Sequence, residues 1–182
     1  TAYIRGENGT RALDEQDIEN LRKAYDQDLR HTDELLRQFV DRLKQEGIYK
    51  DSTLVIYSSH GENLADNVYR RQGSRDAAFG HVYLWPQTTQ VPMIIKSPEM
   101  EPGSESRPVS IIDIAPTLYD IADLDLDPGT ERQQEGESLL GYENRDLSDP
   151  EFSETKHADN IAINRGDYKF IRRGGREDVL YR

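Results

Sequence analysis

The chain has 182 residues, no cysteine and a formal net charge of −12 at pH 7, with 35 acidic residues against 23 basic ones. The lack of cysteine excludes disulfides, thiolate metal sites and cysteine nucleophiles from this segment. The acidic balance argues against nucleic acid as a partner, because a polyanion would meet a repulsive field. No apolar run is long enough to cross a bilayer, so we expect no membrane segment.

The basic residues are mainly arginine, 17 against 6 lysines. Strong acidity with few lysines is typical of a protein from a high-salt cytoplasm, where mobile ions screen charge repulsion; an ordinary acidic protein is the alternative. We therefore expect a halophilic source and a cytoplasmic location. The first residues lack an initiating methionine and the basic and apolar regions of a signal peptide, which indicates that the chain begins inside a longer protein.

The first part of the sequence predicts a loop followed by one long helix. Residues 1–12 are polar and indicate the loop. From Asp14 onward, apolar residues recur every three or four positions, which predicts an amphipathic helix whose apolar stripe packs in a core. Asp14 and Asp17 have the spacing of an N-terminal capping pair. Gly47 is a suitable residue to end the helix.

Two apolar segments, 53–58 and 91–96, are predicted to be short buried strands. The first is apolar almost without interruption, which favours burial on both faces. The polar residues 62–80 between them are predicted to be a long loop. His60 follows the end of the first strand. Since ligands of open α/β sheets bind beyond the carboxyl ends of the strands, His60 is a candidate metal ligand or catalytic group.

The rest of the sequence predicts a helix and then short antiparallel strands. Residues 109–123 indicate a turn or short strand that leads into a helix, with Pro116 in its first turn and Asp113 as a cap. A hairpin and a final strand are predicted at 160–164, 168–172 and 179–181. This order of elements indicates an α/β fold with a small antiparallel appendage, divided into residues 1–125 and 126–182.

Motifs in the same order along nearly the whole chain resemble the sulfatase family, which belongs to the alkaline phosphatase superfamily. The strand that ends in Ser-Ser-His-Gly-Glu, the Gly80-His81 pair and the Val91-Pro92 strand are among them. The similar segments are 25–33, 47–62, 80–81, 89–95, 109–118, 136–140, 152–154, 168–171 and 179–181. The resemblance implies part of an alkaline-phosphatase-like α/β sandwich with a small C-terminal antiparallel β subdomain.

The resemblance also implies that the chain is the C-terminal portion of its protein. In the family, the nucleophile and two metal-binding aspartates lie in the N-terminal half. This segment has no Cys-x-Pro-x-Arg or Ser-x-Pro-x-Arg stretch. We therefore expect the segment to be inactive alone.

His60 matches a metal ligand of the family, a His or Asn that follows an Asp. Imidazole nitrogen suits Mn²⁺, Zn²⁺ or Fe²⁺, and the implied cofactor is a divalent metal ion, with Ca, Mn, Mg and Zn left open. The alternative is a histidine that only bonds a backbone carbonyl. Ser59 stands at the aspartate position, and a neutral hydroxyl is a poor ligand. A natural variant with weakened metal binding, an inactive degenerate member and a deliberately altered site all fit this change.

His81 matches the basic position that precedes the Val-Pro strand in the family. The resemblance implies that it contacts the sulfate or phosphate oxygens, or protonates the leaving group; an exposed loop histidine is the alternative. Arg70 is a weaker candidate for substrate binding, since an arginine can clamp an anionic ester with two hydrogen bonds. Taken singly, Arg70, Glu62 and Asn63 are better interpreted as solvated surface residues.

These resemblances imply metal-assisted hydrolysis of a small-molecule sulfate ester by the full-length protein. The first alternative is hydrolysis or transfer of a phosphate or phosphonate ester, which is favoured by His60, because calcium-type sulfatases often have Asn there. The second alternative is a non-catalytic protein with a sulfatase fold, which is favoured by Ser59.

Overall fold

The computed structural model describes residues 3–6, 9–12, 14–65, 79–81, 84–106, 108–126, 129, 135–141, 151–155, 160–172 and 177–181. They belong to two compact units. The first comprises residues 1–49 and 60–90, and the second comprises residues 50–59 and 91–182. The boundary predicted between residues 125 and 126 stays a prediction.

The first unit begins with a hairpin, not with the predicted loop. Strands β1 (Tyr3–Gly6) and β2 (Gly9–Ala12) pair antiparallel, with Tyr3 opposite Ala12. The loop prediction relied on polar composition, and a short polar hairpin has no apolar alternation to reveal it.

The long helix α1 (Glu15–Gln45) forms as predicted. Asp14 and Asp17 make the reciprocal capping pair, each side chain accepting from the other residue's backbone N–H, at 2.8 and 3.2 Å. Gly47 follows the helix with a φ of +75°, a left-handed conformation that glycine adopts without steric cost. The expected core packing of the stripe is wrong for this chain: no side chain of α1 is buried, and Leu29 and Phe39 are more than half exposed.

Two short strands and a helical turn complete the described part of the first unit. Strands β4 (Asn63–Leu64) and β5 (Phe79–Gly80) pair antiparallel, which corrects the loop prediction at both ends of 62–80; residues 66–78 lie outside the described residues. The Arg22 Nε on α1 donates to the Leu64 carbonyl oxygen at 2.7 Å. The turn α2 (Pro86–Thr89) follows Trp85, whose side chain is buried.

The two apolar strands lie in the second unit. Strand β3 (Leu54–Tyr57) pairs antiparallel with β6 (Met93–Lys96), and Leu54 lies opposite Lys96. The prediction that β3 is buried on both faces is wrong for this chain. Tyr57 on β3 is 52% exposed, and Ile94 on the neighbouring strand β6 is 59% exposed. Among the described residues, β3 and β6 pair with each other in a two-stranded sheet.

A buried aspartate organises the middle of the second unit. A 3₁₀ turn (Ile111–Asp113) leads into helix α3 (Ile114–Ile121), with Pro116 in the first turn as predicted. The fully buried Asp113 carboxylate accepts from the backbone N–H groups of Ser110 at 2.8 Å and Glu137 at 3.0 Å. Asp113 is therefore a structural cap, which agrees with the interpretation from sequence.

The C-terminal part forms a four-stranded antiparallel sheet in the order β10-β9-β8-β7. Its strands are β7 (Glu151–Thr155), β8 (Asn160–Arg165), β9 (Tyr168–Arg172) and β10 (Val179–Tyr181). The predicted hairpin and final strand are confirmed. Ala162, Ile171 and Lys169 are buried in this sheet, and burial lowers the pKa of Lys169 to about 8. None of the helices that the structure describes is long and apolar enough to span a membrane.

Candidate metal centre

The backbone around Gly61 is fixed by close packing against α2. The Gly61 N–H donates to the Thr88 carbonyl oxygen at 2.9 Å. A Cβ atom at position 61 would lie 2.0 Å from the Gln87 carbonyl oxygen, far inside van der Waals contact. Only glycine fits between the two polar residues, so His60 and Glu62 project from a constrained backbone.

The pairing of β4 with β5 brings His81 to Glu62. Asn63 lies opposite Gly80 in the register, so the residues next to them in the chain, Glu62 and His81, are close. The Nδ1 atom of His81 lies 3.2 Å from Oε2 of Glu62, with 53% of the histidine side chain and 25% of the glutamate side chain exposed. The carboxylate accepts a hydrogen bond when Nδ1 is protonated, which leaves the lone pair of His81 on Nε2 in the neutral ring.

His60 has a similar arrangement of its ring nitrogens. Its Nδ1 lies 2.9 Å from the Gly61 carbonyl oxygen, and a carbonyl only accepts, so Nδ1 is the protonated nitrogen and Nε2 carries the lone pair. The rings of His60 and His81 stack with centroids 3.8 Å apart and planes 20° apart. Ligating histidines commonly use this second-shell bond to a carbonyl or carboxylate to orient the ring.

His60, Glu62 and His81 thus form a candidate metal-binding cluster. One ligand atom from each residue lies within 4.8 Å of the other two, a spacing that small side-chain rotations can adapt to a single divalent cation. Imidazole nitrogen together with carboxylate oxygen is a type of donor set that suits Mn²⁺ or Zn²⁺. The residues present therefore fit a divalent metal ion.

Two amide side chains near the cluster are buried without partners in the part of the chain that the structure describes. Asn63 is 1% exposed, and neither its Oδ1 nor its Nδ2 atom has a hydrogen-bond partner among the described residues. The Oε1 atom of Gln87 is likewise buried without a hydrogen-bond partner among them. The prediction that Asn63 is a solvated surface residue is wrong, because its side chain is buried. Buried unpartnered amides beside a site are commonly satisfied by an ordered water or an ion.

The sequence identified two members of the cluster and missed the third. His60 and His81 were candidates, whereas Glu62 was assigned to the solvated surface; its position two residues after His60 across a glycine was the available signal. Ser59 precedes His60 in the chain, is exposed and belongs to the second unit. Arg70 lies outside the described residues, and its role stays a prediction.

The helices and antiparallel sheets that the structure describes form a mixed α/β architecture. The solved structure of the phosphonate monoester hydrolase from Silicibacter pomeroyi is similar, with a TM-score of 0.61 at 18% identity over 79% of this chain and 31% of that chain. This likeness confirms the predicted fold class.

The chain belongs to the sulfatase family, whose sequence model matches residues 3–124. It is similar to choline-sulfatase of Rhizobium meliloti (strain 1021), with 26% identity over 86% of this chain and 30% of the relative. It is also similar to lipoteichoic acid synthase 1 of Bacillus subtilis (strain 168), with 28% identity over 82% and 25%. The chain thus spans less than a third of the length of these relatives. Sulfatases generally depend on a metal ion, in accord with the cluster.

Proposed function

We propose that the whole protein, meaning the protein to which this chain belongs, hydrolyses a small-molecule sulfate ester with the help of a divalent cation. The observation that supports this most directly is the convergence of His60, Glu62 and His81 in a chain of the sulfatase family. The similarity to choline-sulfatase, over most of this chain, favours a sulfate ester as the substrate class.

In this proposal the two histidines have different tasks. His60 would hold the cation, and its Nδ1–H bond to the Gly61 carbonyl oxygen fixes the ring orientation. A bound cation supplies charge neutralisation for the anionic oxygens of the ester and lowers the pKa of the nucleophile. In its protonated, imidazolium form His81 has an N–H on both ring nitrogens; Nδ1–H is held by Glu62, and Nε2–H contacts the ester and passes its proton to the departing oxygen, which leaves the neutral ring. The nucleophile comes from residues outside this chain.

A phosphate or phosphonate ester is the second candidate substrate. It is favoured by the likeness to lipoteichoic acid synthase 1 and to the phosphonate monoester hydrolase. Sulfate and phosphoryl esters present similar tetrahedral anionic oxygens, so the same cation and histidine could serve either. The degenerate, non-catalytic alternative is supported by Ser59.

The test is hydrolysis of 4-nitrophenyl sulfate, 4-nitrophenyl phosphate and a phenylphosphonate ester by the whole protein. We expect the sulfate to give the highest kcat/KM, and a chelator to abolish turnover until Mn²⁺ or Ca²⁺ is restored. His81→Ala should lower kcat by about 100-fold or more, as expected for a lost general acid. The matched control is His31→Ala, on the exposed surface of α1, which should leave kcat unchanged.

The possible outcomes separate the three hypotheses. A higher kcat/KM for either phosphoryl ester would replace sulfate hydrolysis by the second candidate. Tight metal binding without turnover of any ester would support the non-catalytic alternative. Equal effects of His81→Ala and His31→Ala would refute the role given to His81.

A further inference from the structure

We propose that Glu62 supplies the carboxylate ligand of the metal site that Ser59 cannot supply, and that the same carboxylate positions His81. This inference rests on the metal-dependent function proposed above and adds a residue to its site. According to this inference, the Glu62 carboxylate contacts both the cation bound at His60 and the ring of His81, which acts on the ester.

The geometry of Glu62 allows both tasks. A carboxylate has two oxygens, each of which can accept or ligate. Oε2 faces His81 Nδ1 at 3.2 Å, and the cluster brings a Glu62 oxygen and a His60 nitrogen within 4.8 Å of each other. Ligating carboxylates are commonly held by a hydrogen bond of this kind, which orients them toward the cation.

Charge gives the second argument. Neutral imidazoles contribute no charge to compensate a divalent cation, and the hydroxyl of Ser59 contributes none. Glu62 is the anionic member of the described cluster. Its side chain is only 25% exposed, so its charge acts on a cation through less solvent than a fully exposed carboxylate would.

The rigidity of the surrounding backbone gives the third argument. Gly61 has no space for a side chain, and Asn63 is buried and paired with Gly80. Glu62 lies between these two constrained residues, so its Cα position is fixed relative to His60 and His81. The amide of Asn63, which has no hydrogen-bond partner among the residues that the structure describes, also fits a site completed by a hydrated ion.

The experiment measures Mn²⁺ affinity of the whole protein by electron paramagnetic resonance of the free ion. We expect Glu62→Gln and His60→Ala each to weaken binding by about 100-fold or more, and His81→Asn, as the loss of an outer-shell partner, by about tenfold. Glu99→Gln, at an exposed residue of the other unit, is the matched control and should bind as the parent does.

Folding of each variant is checked by the fluorescence of the buried Trp85 and by thermal unfolding. Glu62→Asp keeps the charge with a shorter reach, so it should bind Mn²⁺ more tightly than Glu62→Gln if the carboxylate is a ligand. Binding by Glu62→Gln within about threefold of the parent would overturn the proposal, since even outer-shell losses exceed that factor. A loss in His81→Asn equal to that in Glu62→Gln would overturn the outer-shell role of His81.

The experiment distinguishes a failure of the Glu62 assignment from a failure of the proposed activity. Unchanged Mn²⁺ affinity of Glu62→Gln together with sulfate hydrolysis by the parent would refute the role of Glu62 and leave the function intact. Glu62-dependent Mn²⁺ binding without hydrolysis of any ester would refute the function and leave the ligand assignment intact.

Discussion

Lys169 places a titratable amine inside the C-terminal sheet, and its replacement by methionine should stabilise the protein at neutral pH. The residue is 7% exposed on β9, where its register partners are Asn164 and Tyr181. Burial lowers its pKa from 10.5 to about 8, because the ammonium form loses hydration. Methionine has a similar length and no charge to desolvate.

The pH dependence of this effect follows from the two pKa values. Below about pH 8 the lysine is protonated in both the folded and the unfolded chain, so folding bears the full desolvation cost. Between pH 8 and 10.5 the folded lysine has lost its proton while the unfolded lysine keeps it, so stability rises with pH. Discounted for the solvent that reaches the amine, the cost is about 1–3 kcal/mol.

Urea unfolding followed by far-UV circular dichroism at pH 7, 9 and 10.5 measures the difference between Lys169→Met and the parent. At pH 7 the free energy of unfolding of the variant should exceed that of the parent by about 1–3 kcal/mol. The difference should shrink as the pH rises toward 10.5. Lys50→Met, at an exposed residue, is the control and should show no such trend. A variant that is less stable than the parent at pH 7, or an advantage independent of pH, would refute the desolvation argument.

Four further predictions concern the site, the fold and the solvent. Gly61→Ala should destabilise the protein by about 1–3 kcal/mol through overpacking and weaken Mn²⁺ binding, and tight binding with an unchanged melting temperature would contradict the packing of Gly61. Asp113→Ala leaves two backbone N–H groups without their acceptor, so urea unfolding should show a loss of about 2–6 kcal/mol, against little change for the exposed Asp120→Ala. Ser59→Asp adds a carboxylate next to His60 in the chain and should raise Mn²⁺ affinity in equilibrium dialysis; stoichiometric tight binding by the parent would show that Ser59 does not limit the site. The halophile hypothesis predicts a higher melting temperature in molar KCl than in dilute buffer, and equal values would count against it.

Local patterns in the sequence were sufficient to predict several structural elements. The cap of α1 requires only Asp14 and Asp17 three residues apart, and the turn after the helix requires only Gly47. The β8–β9 hairpin surrounds Gly166, which has a φ of +54°, and alternating residues on both sides of the turn identify it. These features could be predicted because every interaction that defines them lies within a few residues.

Burial and long-range pairing could not be predicted in the same way. The apolar composition of β3 indicates a strand that is able to be buried, but its actual exposure depends on which elements cover it. The β4–β5 pairing joins segments that are separated by a long polar stretch with no alternating pattern. The contact between Glu62 and His81, 19 residues apart, follows from that pairing and was missed, and the burial of Asn63 was missed as well.

The two interpretations of His60 that the sequence left open turn out to be compatible. A histidine that only bonds a backbone carbonyl and a histidine that ligates a metal were treated as alternatives. The structure shows the carbonyl bond, from Nδ1 to Gly61, and this bond fixes the tautomer in which Nε2 has the lone pair. The same bond that defines the structural interpretation therefore prepares the ring for the metal. Whether the oriented ring also binds a cation in the whole protein depends on the charge that Glu62 brings to the site, and Glu62→Gln tests that charge directly.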